Sequence, residues 1–169
     1  GVQTCALPIS VSSSQAKVVL LFKQLPAARR LLEKVGISAV DEAGARRNLE
    51  AEAAGWDFDT VVRQANEAWN RELSRIEVET DDKAQQTIFY TSLYHSLVQP
   101  SIASDVDGRY RTMEQEICRD TAYTNYTVFS LWDTFRAAHP LYTLIIPQQN
   151  QAFIRSLLRK YNEQGVLPK

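Results

Sequence analysis

Phe58, Val61, Val62, Ala65, Ala68, Trp69, Leu73 and Ile76 recur every three or four residues. Only an α-helix brings such a set to one side. The other side of the same turn pattern is charged, with Arg63, Glu67, Arg71, Glu72 and Arg75. An apolar stripe of this length has to be covered by other elements, so the chain is expected to be mainly α, built from helices laid against one another. Trp69 lies on the stripe and is read as a packing anchor rather than a ligand contact.

The flanking sequence repeats the helical pattern with start and stop signals. Asp41 is placed to cap a helix that carries Leu49 and Ala53 inward and ends at Gly55. Asp57 or Asp59 caps the striped helix, and Asp81 or Asp82 caps the next, which runs to about Val98 and stops before Pro100. That helix is apolar on several sides, through Ile88, Phe89, Leu93, Leu97 and Val98, and is expected to be packed between neighbours. Residues 100–127 read as a long polar connection with a turn at Asp107-Gly108. A further helix is expected from Phe129, ended or kinked by Pro140. The last spans about Gln148 to Gln164, with Phe153, Leu157 and Tyr161 inward and Gly165 beyond its end.

Before Asp41 the pattern is strand-like: an apolar run at 18–22 and alternation over Glu33–Val40, separated by an ambiguous stretch at 24–32. Residues 11–40 are therefore read as the end of a β domain. Residues 1–10 lack an initiator Met and resemble a translated sequencing-adapter junction, so they and Cys5 are set aside as foreign. The other cysteine, Cys118, has no partner at a metal-binding or disulfide spacing. The 19 basic and 20 acidic side chains leave a net charge of −1, which offers nucleic acid no electrostatic footprint. No apolar run approaches the roughly 18 residues needed to span a bilayer.

Chemistry concentrates in Tyr126-Thr-Val-Phe-Ser-Leu-Trp-Asp-Thr-Phe-Arg-Ala-Ala-His139. On one continuous helix Phe129, Asp133 and Arg136 would share a face, with Trp132 beside Arg136 and His139 following. A ring, a carboxylate and a guanidinium together suit a sugar, whose C–H face packs on the ring while its hydroxyls take fixed donors and acceptors. The same spacing also fits a buried Asp133–Arg136 ion pair with Trp132 filling a core, and a His139 favoured by a helix C-terminus. Asp105-Val-Asp-Gly-Arg-Tyr110 has the look of a calcium loop, but its glycine is fourth rather than sixth, and Arg109 and Met113 stand at the fifth and ninth ligand positions. A turn in which an Asp caps its own backbone is expected there instead. No metal ligand is assigned to the chain.

Phe89-Tyr-Thr-Ser-Leu-Tyr-His95, Asp105 to Tyr110, Tyr126 to Leu141 and Gly165-Val-Leu-Pro168 together resemble successive blocks of glycoside hydrolase family 92, with Ser130-Leu-Trp-Asp-Thr134 the most specific. Val35 to Ser38, Ala45 to Glu50 and Gly55 to Asp59 resemble that family's join between two domains. The resemblance implies a partial (α/α)6 barrel over 81–169, linker helices over 41–80, and a remnant of a β-sandwich domain over 11–40. It implies a calcium-dependent, inverting exo-α-mannosidase acting on α-1,2-linked mannose of high-mannose N-glycans, in a bacterial periplasm, at the cell surface or secreted. By that resemblance Trp132 and Asp133 line the terminal-mannose subsite, Arg136 orients the carboxylate, and His95, Asp105 and Asp107 lie near it. The general acid, the general base and the calcium ligands are expected outside this segment. The remainder of the catalytic domain is then its partner, and the segment alone is expected to be inactive. A non-catalytic helical module, binding glycan through Trp132 or protein through its apolar faces, is the competing reading.

Overall fold

The computed structural model of the protein describes residues 31–167, together with Gln15, Lys17 and Val19. The expectations for residues 1–10, for the apolar run at 18–22 apart from Val19, and for 24–30 lie outside the described residues. The chain divides into two units, Gly1–Leu32 and Glu33–Lys169, and every helix and strand named here belongs to the second.

That unit is mainly helical: α1 (Glu42–Glu52), α2 (Phe58–Leu73), α3 (Lys83–Leu97), β1 (Arg109–Arg111), β2 (Ile117–Arg119), α4 (Leu131–Thr134), α5 (Ala138–Ile145) and α6 (Pro147–Gln164). Asp41 caps as read, and Asp57 and Asp82 are the members of the two open pairs that cap. Asp41 accepts from the Gly44 N–H, Asp57 from Thr60, and Asp82 from Ala84 and Gln85. Gly165 closes α6 at φ 77°, a left-handed cap that side chains disfavour. Helix α1 stops at Glu52, short of Gly55, because Lys34 donates to the carbonyls of Ala53 and Ala54 at 2.7 and 3.2 Å and satisfies the helix end.

The connection over 100–127 is not a plain loop. It contains an antiparallel hairpin pairing Arg109 with Arg119, Tyr110 with Cys118 and Arg111 with Ile117, continued by bridges from Ile102 to Tyr126 and from Ser104 to Tyr110. Tyr110 anchors it, buried and donating to Glu163 Oε1 at 2.6 Å. Nor is there one helix from Phe129 through Pro140. Helix α4 is a single turn, and Ala137 (φ −134°, ψ −46°) separates it from α5. Pro140 is the third residue of α5, where an N–H would have no intrahelical acceptor, so it starts a helix instead of ending one.

The core is a small aromatic cluster. Tyr142, Ile146 and Phe153 are buried, with Leu97, Tyr126, Phe129, Ala138 and Ile145 packed around them. The rings meet edge to face: Tyr126 and Phe153 at 4.8 Å, Tyr142 and Phe153 at 5.9 Å. Burying each such side chain contributes about 1.5–3 kcal/mol. Helix α6 supplies one wall through Asn150, Phe153, Ser156, Leu157 and Lys160. Its inward face differs from the expected one, since Tyr161 is half exposed while Lys160 is buried. Helix α3 is less enclosed than expected: only Leu93 is buried on it and Ile88 is 66% exposed. Trp69 does pack, edge to face on Tyr94 at 4.5 Å, but Phe58, Val61 and Val62 on the same stripe are exposed.

Glu33–Val40 alternates in burial as its sequence suggests, with the more polar phase inward. Lys34, Gly36, Ser38 and Val40 turn inward, and Val35 and Ile37 are 71% and 80% exposed. No strand forms among residues 31–40. The polar phase wins because a clasp holds it. Ser38 Oγ and Asn48 Nδ2 each donate at 2.8 Å to the buried carboxylate of Asp105. Arg109 grips Asp41 with both terminal nitrogens, at 2.6 and 3.1 Å, and Asp107 with Nε at 2.9 Å. Asp107 also meets Arg47 at 3.1 Å and accepts from the Arg109 N–H, the self-capping turn expected there. Gly44 lies directly against the Asp105 carboxylate, with no room for a Cβ.

Gly44→Ala is therefore expected to lower the unfolding free energy by about 1–3 kcal/mol, read from a denaturant titration. A second outcome concerns acid. The Arg109 side chain, then the Gly44 N–H, holds the Asp41 carboxyl at about 2, below its ordinary 3.8. A depressed carboxylate stabilises the fold above the unfolded value, and that stabilisation is lost as pH falls through the folded one. Stability should fall as pH drops from about 3.8 to about 2, and in Arg109→Met the slope over this window should flatten.

Candidate functional site

Trp132 and Asp133 stand on the single turn of α4, and Arg136 follows in the bend before α5. Their exposure is the informative property. Trp132 is 80% exposed, and Asp133 and Arg136 lie at the surface as well. No hydrogen bond or ion pair joins Asp133 to Arg136 or to any other described residue, so the buried ion pair is excluded. The Arg136 guanidinium lies over the Phe135 ring at 5.5 Å. The turn thus presents an indole face, a carboxylate with all its acceptor capacity free, and a cation whose donors are unused.

The structure sorts the other candidates apart from this trio. Asp105 and Asp107 belong to the clasp, where Ser38, Asn48, Arg47 and Arg109 occupy their oxygens. His95 is exposed in the last turn of α3, its ring tilted 5.7 Å from Tyr94. His139 is not at a helix C-terminus. It sits in the first turn of α5, between the rings of Phe129 and Tyr142, with Nδ1 2.9 Å from Asn150 Oδ1. An open cavity of about 390 Å³ lies beside the clasp, lined in part by Asp105, Gly108, Asp120 and Tyr123, and not by the trio. Among the described residues no three His, Cys, Asp or Glu side chains are grouped so as to hold a metal ion.

Sequence reasoning missed the buried polar residues that support the turn. Asn125, Asn150, Ser156 and Lys160 are all at most 7% exposed. Burial pushes the Lys160 ammonium pKa down, and likewise raises the phenols of Tyr126 and Tyr142. The available signal was the spacing of Asn150, Phe153, Leu157 and Lys160, which continues one helical face; a lysine at its end reads as solvent-facing by default.

The sequence profile of the glycosyl hydrolase family 92 catalytic domain matches residues 44–169. A family GH92 α-mannosidase from Bacteroides thetaiotaomicron superposes with a TM-score of 0.73 and 38% identity, covering 78% of this chain and 18% of that one. Its complex with mannoimidazole gives 0.72 and 37%, over 78% and 17%. A second GH92 glycosyl hydrolase gives 0.68 and 26%, over 73% and 17%. A protein of Arthroderma benhamiae named an uncharacterized secreted glycosidase is 32% identical over 75 residues, 42% of this chain and 10% of that relative. The chain thus spans less than a fifth of the length of these relatives. Its mainly helical architecture is that of part of the (α/α)6 barrel of these enzymes, and the chain belongs to glycosyl hydrolase family 92.

Proposed function

We propose that this chain supplies part of the terminal-mannose subsite of an exo-acting, inverting α-mannosidase that removes α-1,2-linked mannose from high-mannose N-glycans. The observation that carries the reading is the α4 turn, whose indole, carboxylate and guanidinium are exposed, the two charged groups without a hydrogen bond or ion pair to the described residues. A pyranose can stack one C–H face on Trp132 while Asp133 accepts from adjacent hydroxyls and Arg136 donates. The likeness to a family GH92 α-mannosidase, and to its mannoimidazole complex, supports mannose as the sugar. The match to a catalytic domain favours an enzyme over a separate helical module. The relative named a secreted glycosidase supports action outside the cytoplasm, in a periplasm, at a cell surface or in the medium. No described helix is long and apolar enough to cross a membrane.

Inversion needs an acid and a base far enough apart to admit a water. No pair of carboxylates here is offered for those roles. Asp105 and Asp107 are bound into the clasp, and Asp133 is read as a binding group. The calcium implied by family resemblance does not fit the described carboxylates, which form no ligand cluster; its ligands are assigned to polypeptide outside residues 31–167. The remaining helices of the same domain are the proposed cover for Phe58, Val61, Val62 and Ile88.

Removing the Asp133 acceptor should cost about 1.5–3 kcal/mol of sugar binding. Calorimetry on the complete catalytic domain should then show mannoimidazole bound about tenfold to a hundredfold more weakly by Asp133→Ala than by wild type. Unchanged affinity would remove Asp133 from the subsite. The purified 169-residue chain is expected to release no mannose from α-1,2-mannobiose, and measurable release would overturn the placement of the acid and base elsewhere.

A further inference from the structure

Lys160 is 7% exposed, and its ammonium makes no ion pair, though the Glu163 carboxylate on the same helix favours its charge at longer range. It donates to Asn125 Oδ1 at 2.9 Å, to the Tyr126 carbonyl at 2.6 Å and to Ser156 Oγ at 2.9 Å. Three donors meet three acceptors, so the group is satisfied, but taking an ammonium out of water is costly and an apolar chain of equal length would fill the space without that cost. What the charge supplies is direction. Two of its acceptors lie on adjacent residues of one segment, Asn125 and Tyr126. The third, Ser156 Oγ, also accepts from the Tyr126 N–H at 2.9 Å. Both main-chain groups of Tyr126 therefore end on α6.

From Tyr126 the chain runs through 127–130 without regular structure into α4. A single turn cannot hold itself in place, and Ser130, its N-cap residue, makes no side-chain cap bond. On the far side the next tether is again α6, through Asn150 and His139. The Trp132–Asp133 turn lies between these two holds on α6, with Thr127 also bonded to the Ser101 carbonyl at 2.8 Å and Phe129 packed on Phe153.

We propose that Lys160 is a positioning residue for the mannose subsite, aiming the Trp132–Asp133 turn through its hold on Tyr126; this rests on the proposed subsite. The test is made in the complete catalytic domain, with methyl α-mannoside for calorimetry and α-1,2-mannobiose for kinetics. Lys160→Met keeps the length and removes the charge. Leu157→Ala, buried on the same helix, lowers stability and removes none of the hydrogen bonds to Asn125 or Tyr126. With every variant folded by circular dichroism, Lys160→Met should weaken mannoside binding about tenfold and raise KM by the same factor, leaving kcat within about threefold. Leu157→Ala should bind as wild type. Should Lys160→Met fail to fold, Ser156→Ala, which cuts the second hold on Tyr126, carries the same expectation. Wild-type affinity in the charge-removed variant overturns the proposal, as does an equal loss in Leu157→Ala, because the effect would then follow stability. Asp133→Ala separates the two readings. If it weakens binding and Lys160→Met does not, positioning alone is rejected; if it binds as wild type, the subsite reading fails and the proposal falls with it.

Discussion

The inward face of α6 is the constraint on which the rest depends. Asn150, Phe153, Ser156, Leu157 and Lys160 form one stripe in which polar and apolar members alternate. Phe153 and Leu157 supply burial, which has no direction of its own. The polar members convert that burial into a register. Asn150 fixes the ring of His139, and Ser156 with Lys160 fixes the main chain of Tyr126. A stripe of leucines in the same positions would gain more from burial and would leave 125–139 free to slide over it. A buried polar group tolerates only the arrangement that satisfies it.

Satisfaction also separates the candidate carboxylates. Asp105 and Asp107 sit in a sequence that resembles a calcium loop, and Asp133 in one that resembles a sugar site. The structure distinguishes them by what else holds each. Both oxygens of Asp105 accept from side chains, and Asp107 lies between two guanidinium groups. Their charge is spent on joining residues 38–48 to the hairpin. Asp133 has no such partners, and a carboxylate left open at the surface beside an exposed indole is available to a ligand.

Caps and long periodic helices were legible in the sequence because both depend on neighbours within four residues. Asp41 caps as read, Asp57 and Asp82 cap from the two open pairs, and Gly165 closes α6. Most failures are of another kind. The break at Ala137 is local: Pro140 was read as ending or kinking the helix, but it stands third in α5 and the interruption falls before it. The phase of Glu33–Val40 is set by Asp105, which lies 67 positions from Ser38. Tyr110 lies on a strand through its pairing with Cys118, and its burial depends on Glu163, 53 positions away, receiving its hydroxyl. The trio at 132–136 was found as a composition, but the contact of the Arg136 guanidinium with the Phe135 ring was not.

Exposed apolar surface occurs in two forms here, and their chemistry differs. On α2 the exposed members, Phe58, Val61 and Val62, are carbon only and lie in a row. Such a surface gains from contact with another apolar face and offers nothing to a polar ligand. On α4 the exposed ring belongs to Trp132, next in sequence to an unpaired carboxylate and four residues from an unpaired guanidinium. Covering that turn with another helix would strand both charges without partners, at several kcal/mol each. A ligand with an apolar face and a rim of hydroxyls meets all three groups at once. The same quantity, exposed apolar area, therefore marks a packing face on α2 and a binding face on α4, and the charges beside it decide which.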